Sequence, residues 1–187
     1  MLTTWQHVRG NWVLGRNSDP LGRVRDLVVN PETGEIPALW INTSDGMSLL
    51  ATSEIHRWHS SEIFVESPAD LISPDEFPRL KNVLEHEVKI INAPVFELRE
   101  VPIKIGHCTN FNLETRSPHL ISIEIKKGWL FWEKKRIIPR IKIEEINSHG
   151  IFVTSTLLTE RTKTAPDAEI LSKAIPEAKI SQSSDTK

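Results

Sequence analysis

A chain of 187 residues that is 39% hydrophobic and 26% charged has the composition of a soluble globular protein, which excludes a disordered chain for its bulk. Its longest aliphatic or aromatic runs are the four-residue stretches Ala38 to Ile41 and Trp129 to Trp132, against the roughly 20 residues a transmembrane helix needs. The formal charge of −2 hides an asymmetry, because residues 1–75 hold five Arg, no Lys and ten Asp or Glu, a balance of −5 that leaves +3 for the rest. Such a split predicts two units with different outer surfaces.

The opening residues, MLTTWQHVRGNW, show no basic run followed by an apolar one, so no secretory leader is read there and a cytoplasmic location is expected. From Trp5 to Val65 short apolar stretches alternate with turn signals. They are Trp12 to Leu14, the turn Asn17-Ser18-Asp19-Pro20, a hairpin from Leu21 to Ile41, the turn Ser44-Asp45-Gly46, Met47 to Ala51, and Ile63 to Val65. This spacing predicts a barrel or sandwich of short strands.

The hairpin LGRVRDLVVNPETGEIPALWI is the clearest element. Val24, Leu27 and Val29 interleave with charged residues, and Val28 and Val29 add β-branched propensity. Pro31 presets φ and Gly34 supplies a positive φ for the turn, and Ile36 to Ile41 resume an extended run. Gly22, ahead of the first strand, marks a bend or a close backbone approach.

Gly22, Val24, Asp26, Leu27, Val28, Val29, Thr33, Gly34, Ile36 and Leu39 together resemble the hallmark of the PRC-barrel family. That hallmark is a G-x-V-x-D-L-V-V strand, a turn ending in T-G and an I-x-x-L strand. The resemblance implies a small β-barrel that serves no catalytic role. It also implies roles of the kind found in the photosynthetic reaction-centre H subunit and in RimM-type ribosome maturation factors.

After Val65 the chain reads SPADLISPDEFPRLKNVLEHE, in which Ser73 and Glu76 bracket a capping box with Pro74 at the first helical position. A short helix or linker is expected over 73–84. Beyond it the apolar pattern of the first unit returns. An offset of 84 pairs Leu21, Gly22, Leu27, Val29, Ile36, Leu39 and Ile41 with Ile105, Gly106, Phe111, Leu113, Leu120, Ile123 and Ile125. Later the offset becomes 88, pairing Ile55 with Ile143 and Ile63-Phe64-Val65 with Ile151-Phe152-Val153. A repeated pattern with four inserted residues predicts two structural repeats. The second departs from the hallmark, with Asn110 in place of Asp26 and Thr115-Arg116-Ser117-Pro118 in place of the Thr33-Gly34 turn.

The expected architecture is therefore all-β. It has a PRC-like barrel over 1–72, a linker over 73–84, a divergent PRC-like barrel over 85–158 and a disordered tail over 159–187. The tail lacks aromatic residues and is rich in small and charged ones. Within it Pro166 to Ile175 has the pattern of a short transient or partner-induced helix.

The candidate binding surface is KKGWLFWEKKRIIPRIK, Lys126 to Lys142, with seven Lys or Arg against one Glu. As a strand it is apolar on both faces, since Trp129 and Phe131 point one way and Leu130 and Trp132 the other. The candidate partner-binding residues are Lys126, Lys127, Trp129, Phe131, Trp132, Lys134, Lys135 and Arg136. Aromatic and basic side chains together suit an interface anchor, a stacking platform for RNA or a seat on an anionic membrane. The competing structural reading packs one aromatic face into the second barrel and the other against the first barrel or the linker, with a solvated cationic rim.

Other constellations carry less. Glu54, His56 and His59 include metal-ligand types, but the two histidines fall on opposite faces of a strand and nothing nearby completes a shell. His107-Cys108 raises an activated thiol, yet Cys108 stands at the position of Val24, which predicts a buried inert thiol. Asp26, Glu32, Glu35, Asp45 and Glu54 read as surface acids, and no phosphate loop, nucleophile elbow or zincin motif is present. The expectation is a protein without enzymatic activity and without a cofactor. It binds a protein partner, with RNA or a ribosomal particle, or a membrane complex, as the alternatives.

Overall fold

The structure is a computed structural model that describes residues 1–76, 83–84, 88–127 and 135–154. It is mostly β. The first half runs β1 (Leu2–Thr4), α1 (Trp5–Val8), β2 (Trp12–Leu14), β3 (Pro20–Val28), β4 (Ala38–Thr43), β5 (Gly46–Ala51), β6 (Ile55–Trp58), β7 (Glu62–Val65) and β8 (Leu71–Ile72). The second half runs β9 (Pro94–Glu97), β10 (Ile103–Glu114), β11 (His119–Lys126), β12 (Arg136–Pro139), β13 (Ile143–Asn147) and β14 (Gly150–Val153). Of the short helix or linker expected over 73–84, residues 77–82 lie outside the described residues, and the rest include a 3-10 turn at Pro74–Glu76 and helical Val83 and Leu84. A capping box forms six residues before it: Ser67 and Asp70 exchange side-chain and backbone hydrogen bonds around Pro68. The S-x-x-D spelling of that box is as legible as the S-x-x-E that follows it.

Among the described residues the strands make two sheets. One has the order β6-β7-β2-β3-β4-β5-β8, and the other β12-β11-β10-β9-β14-β13 with β1 also on β10. The ladders correspond pair by pair. Arg23↔Asn42, Val24↔Ile41, Asp26↔Trp40, Leu27↔Leu39 and Val28↔Ala38 in β3–β4 have counterparts exactly 84 residues on: His107↔Lys126, Cys108↔Ile125, Asn110↔Glu124, Phe111↔Ile123 and Asn112↔Ser122. Both ladders step over one residue at the same place, Arg25 in one and Thr109 in the other. A bulge there bends the strand and lets each sheet curl.

Gly22 and Gly106 sit where the curl brings backbone onto backbone. A Cβ on Gly22 would lie 2.6 Å from the Asn42 carbonyl oxygen, and one on Gly106 would collide with the equivalent oxygen of Lys126.

The N-terminal strand does not stay with the sheet that follows it. β1 pairs antiparallel with β10, Leu2 opposite Glu114 and Thr4 opposite Asn112, and the N-terminal ammonium meets the Glu114 carboxylate. Residues 88–92 in turn line a cleft against Asp26, Leu27 and Val29 of the first half. The loops that follow are also matched. Gly10 N–H donates to Val24 O and Val24 N–H to Asn11 O, at 2.9 and 3.0 Å, as Asn92 N–H donates to Cys108 O and Cys108 N–H to Ala93 O, at 2.8 and 2.9 Å. Gly10 and Asn92 both hold a positive φ, 85° and 67°, which Asn tolerates better than other residues with a Cβ.

Two reciprocal hydrogen bonds tie the halves together. Ile36 N–H donates to Pro118 O and Leu120 N–H to Gly34 O, both at 2.8 Å, with Glu35 opposite His119 between them. Each partner stands 84 residues from its equivalent, so the contact is reciprocal about Glu35 and His119. Across the same junction Trp5 stacks on Phe111 with centroids 5.9 Å apart. The buried side chains of both sheets, from Val24, Leu39 and Ile63 to Cys108, Ile123 and Ile151, form one continuous core. Each large one buried there contributes about 1.5–3 kcal/mol.

Candidate partner-binding edge of the second sheet

The correspondence continues into the next hairpin with a changed offset. Ala38↔Ala51, Leu39↔Leu50, Trp40↔Leu49 and Ile41↔Ser48 join β4 to β5. Ser122↔Pro139, Ile123↔Ile138, Glu124↔Ile137 and Ile125↔Arg136 join β11 to β12. The offset is 84 on one strand and 88 on the other, so the four extra residues lie in the β11–β12 connection. That connection is the basic aromatic stretch.

Of the candidate residues, Lys126 and Lys127 at the end of β11 and Lys135 and Arg136 at the start of β12 are described, and all four are exposed at the base of the hairpin. Lys135 Nζ lies 3.5 Å from a Glu124 carboxylate oxygen. Trp129, Phe131, Trp132 and Lys134 lie outside the described residues.

The two hairpins end differently. In the first sheet β5 is followed outward by β8, with Leu49 opposite Ile72 and Leu50 opposite Leu71. Ile72, Val83 and Leu84 then cover Val28, Ala38 and Leu49, beside Trp40, as a small separate apolar cluster. In the second sheet β12 is the last strand, and no described residue pairs with its outer edge.

The residues beneath differ in composition as well. Asn112, Ser122 and Glu124 stand where Val28, Ala38 and Trp40 stand, and Asn112 Nδ2 donates to Ser122 Oγ at 2.8 Å. Asn112 and Ser122 satisfy one another and need no apolar cover, while Glu124 faces the Lys135 ammonium. Ile137, the counterpart of fully buried Leu49, keeps its apolar side chain and is 64% exposed. Beyond it Ile141 is 89% exposed and joins Thr33, Leu120, Ile121 and Pro139 around a shallow groove of about 580 Å³. A strand edge with free backbone groups, an exposed branched side chain and flanking cations can accept another strand.

The remaining candidates are dispersed. Glu54 and His56 are exposed, His59 stands edge-on to Phe64 at 5.8 Å, and the described residues hold no cluster of three or more metal-ligand side chains. Cys108 is fully buried and its Sγ faces the Asn110 carbonyl at 3.3 Å. Burial pushes its thiol up to about 12, so it is protonated at neutral pH, while exposed His107 turns to Asn92 O. Asp26 accepts from the Leu27 N–H at 2.9 Å and borders the cleft of about 220 Å³ between the halves, together with Arg9, Arg25 and Lys89. The other four acids, Glu32, Glu35, Asp45 and Glu54, are exposed.

Sequence reading missed a second aromatic-cation surface. The Arg23 guanidinium lies 3.7 Å from the ring centre of Trp12, and that of Arg57 lies 5.2 Å from Phe64. The signal was available, because Trp12 and Leu14 flank the core residue Val13 on a strand whose alternate side chains must face outward. No helix among the described residues is long and apolar enough to cross a membrane. No known family model matches the chain, and no curated protein matches it.

Proposed function

We propose that this protein is a non-enzymatic adaptor or assembly module, built from two PRC-like β-barrels in tandem, that binds a protein partner. The observation that carries the reading is the difference between the edges. The same hairpin is capped by β8 in the first half, whereas among the described residues it is left open in the second, with Ile137 outward. The motif around Gly22, Asp26 and Gly34 supports the PRC-like assignment, and so does the pairwise match of the ladders. A buried thiol at Cys108, protonated at neutral pH, supports reading that cysteine as structural rather than catalytic.

Affinity purification of the full chain from its native cell at moderate salt tests this. A reproducible protein partner is the expected recovery, and the absence of one across repeats overturns the reading. A second reading, RNA binding of the RimM type, is favoured by the exposed cations Lys126, Lys127, Lys135 and Arg136 at one hairpin base. Its mark is RNA recovery that falls steeply with salt.

A further inference from the structure

Resting on the adaptor reading, we infer that the outer edge of β12 accepts an extended, acidic peptide segment carrying two adjacent aliphatic residues, which pairs antiparallel with Ile137 and Ile138. The chain itself supplies the template. β5 and β12 hold the same register to their inner neighbours, and β5 is completed by Leu71 and Ile72 opposite Leu50 and Leu49. Carried over by the offset of 88, those contacts place an aliphatic pair opposite Ile138 and Ile137. The edge supplies backbone hydrogen bonds and Ile137 supplies the apolar contact, the division of labour of strand addition.

Charge chooses among such segments. The segment that completes β5 reads SPADLISPDE, with Asp70, Asp75 and Glu76 around the aliphatic pair and no basic residue. In the second half the hairpin base presents Lys126, Lys127, Lys135 and Arg136, all exposed. In that register the carboxylates after the aliphatic pair, those of Asp75 and Glu76 in the template, run toward these cations at a solvated rim, which raises the association rate and disfavours basic competitors. An aliphatic segment also covers Ile137, whereas a nucleic acid would gain only the cations and leave that side chain in water.

The test is fluorescence anisotropy of a labelled synthetic peptide with the sequence of residues 67–76 titrated with the full chain. Expected are saturable binding at low salt, at least tenfold weaker binding to Ile137→Glu, and loss of binding when both aliphatic residues of the peptide become Ser. Replacing the peptide's three acids by Asn and Gln is expected to weaken binding several-fold and remove its salt dependence. Circular dichroism of the Ile137→Glu chain checks that it remains folded, as its exposure predicts.

Binding unaffected by Ile137→Glu overturns the inference, as does the absence of binding. So does binding that appears only when the chain ends at Ser155, since the edge is then already occupied, or an edge used by a second copy, seen as concentration-dependent dimerisation abolished by Ile137→Glu. The adaptor reading fails separately: a native partner whose binding survives Ile137→Glu keeps that reading and sinks this one.

Discussion

Leu49 and Ile137 occupy one position in two copies of the same hairpin, yet Leu49 is fully buried and Ile137 is 64% exposed. The ladders around them are identical in register, so backbone geometry does not separate them. What differs is the face they share with their neighbours. Val28, Ala38 and Trp40 demand an apolar cover, and Ile72, Val83 and Leu84 provide it. Asn112, Ser122 and Glu124 do not. A fold can thus keep its core pattern while the outward face of one sheet becomes available to a partner.

The largest expected effect probes what the halves share. Gly22→Val and Gly106→Val each drive a side chain into a neighbouring carbonyl, and each is expected to cost about 3 kcal/mol or more in urea denaturation. A large cost at one site and none at the other would break the equivalence of the two curls.

Next comes the contrast itself. Leu49→Ala is expected to cost about 2–5 kcal/mol, the range for a buried aliphatic truncation, and Ile137→Ala about 0.5 kcal/mol or less, as for an exposed site. Equal losses would show that Ile137 is covered in solution. Trp5→Ala, at the stack on Phe111, is expected to cost about 3–5 kcal/mol, because it opens the core where the halves join.

The thiol gives a pH prediction with a definite sign. Cys108 ionises less readily folded, at about 12, than at its ordinary value of 9.0. Its contribution to stability is complete below about 9 and is lost as pH rises toward 12. Cys108→Val, the residue of the first copy, is expected to flatten that alkaline loss in thermal melts. The native chain is also expected to resist iodoacetamide at pH 8 and to react once unfolded. A small effect also belongs to Gly10→Asn, which copies Asn92 into its equivalent position. With open space around Gly10 and an αL-tolerant side chain, a change under about 1 kcal/mol is expected.

Much of this was readable from the residues. Alternation at Val24, Leu27, Leu39 and Ile41, and again at Phe111, Ile123 and Ile125, specified strands buried on one face. The same two offsets, 84 and 88, relate the ladders of the two sheets. The passage of β1 to β10 was not readable, because Leu2-Thr3-Thr4 has no pattern of its own and its partner lies more than 100 residues away. The β8 cap was hidden for a related reason: two residues, Leu71 and Ile72, are too short for periodicity to register.

The open edge was partly legible. An apolar-to-polar exchange at Val28, Ala38 and Trp40 against Asn112, Ser122 and Glu124 can be aligned by offset alone. Of the candidate residues, Trp129, Phe131, Trp132 and Lys134 lie outside the described residues. The described ones, Lys126, Lys127, Lys135 and Arg136, stand at the ends of β11 and β12, beside an exposed Ile137 that the sequence reading did not single out.

Amide hydrogen exchange of the free full-length chain, resolved to the peptides covering β5 and β12, tests the central claim most directly. Amides of β12 from Arg136 to Ile138 are expected to exchange well ahead of those of Leu49 and Leu50, since among the described residues the latter lie between two paired strands and β12 pairs on one side. Equal, strong protection of both strands in the free protein would contradict the account.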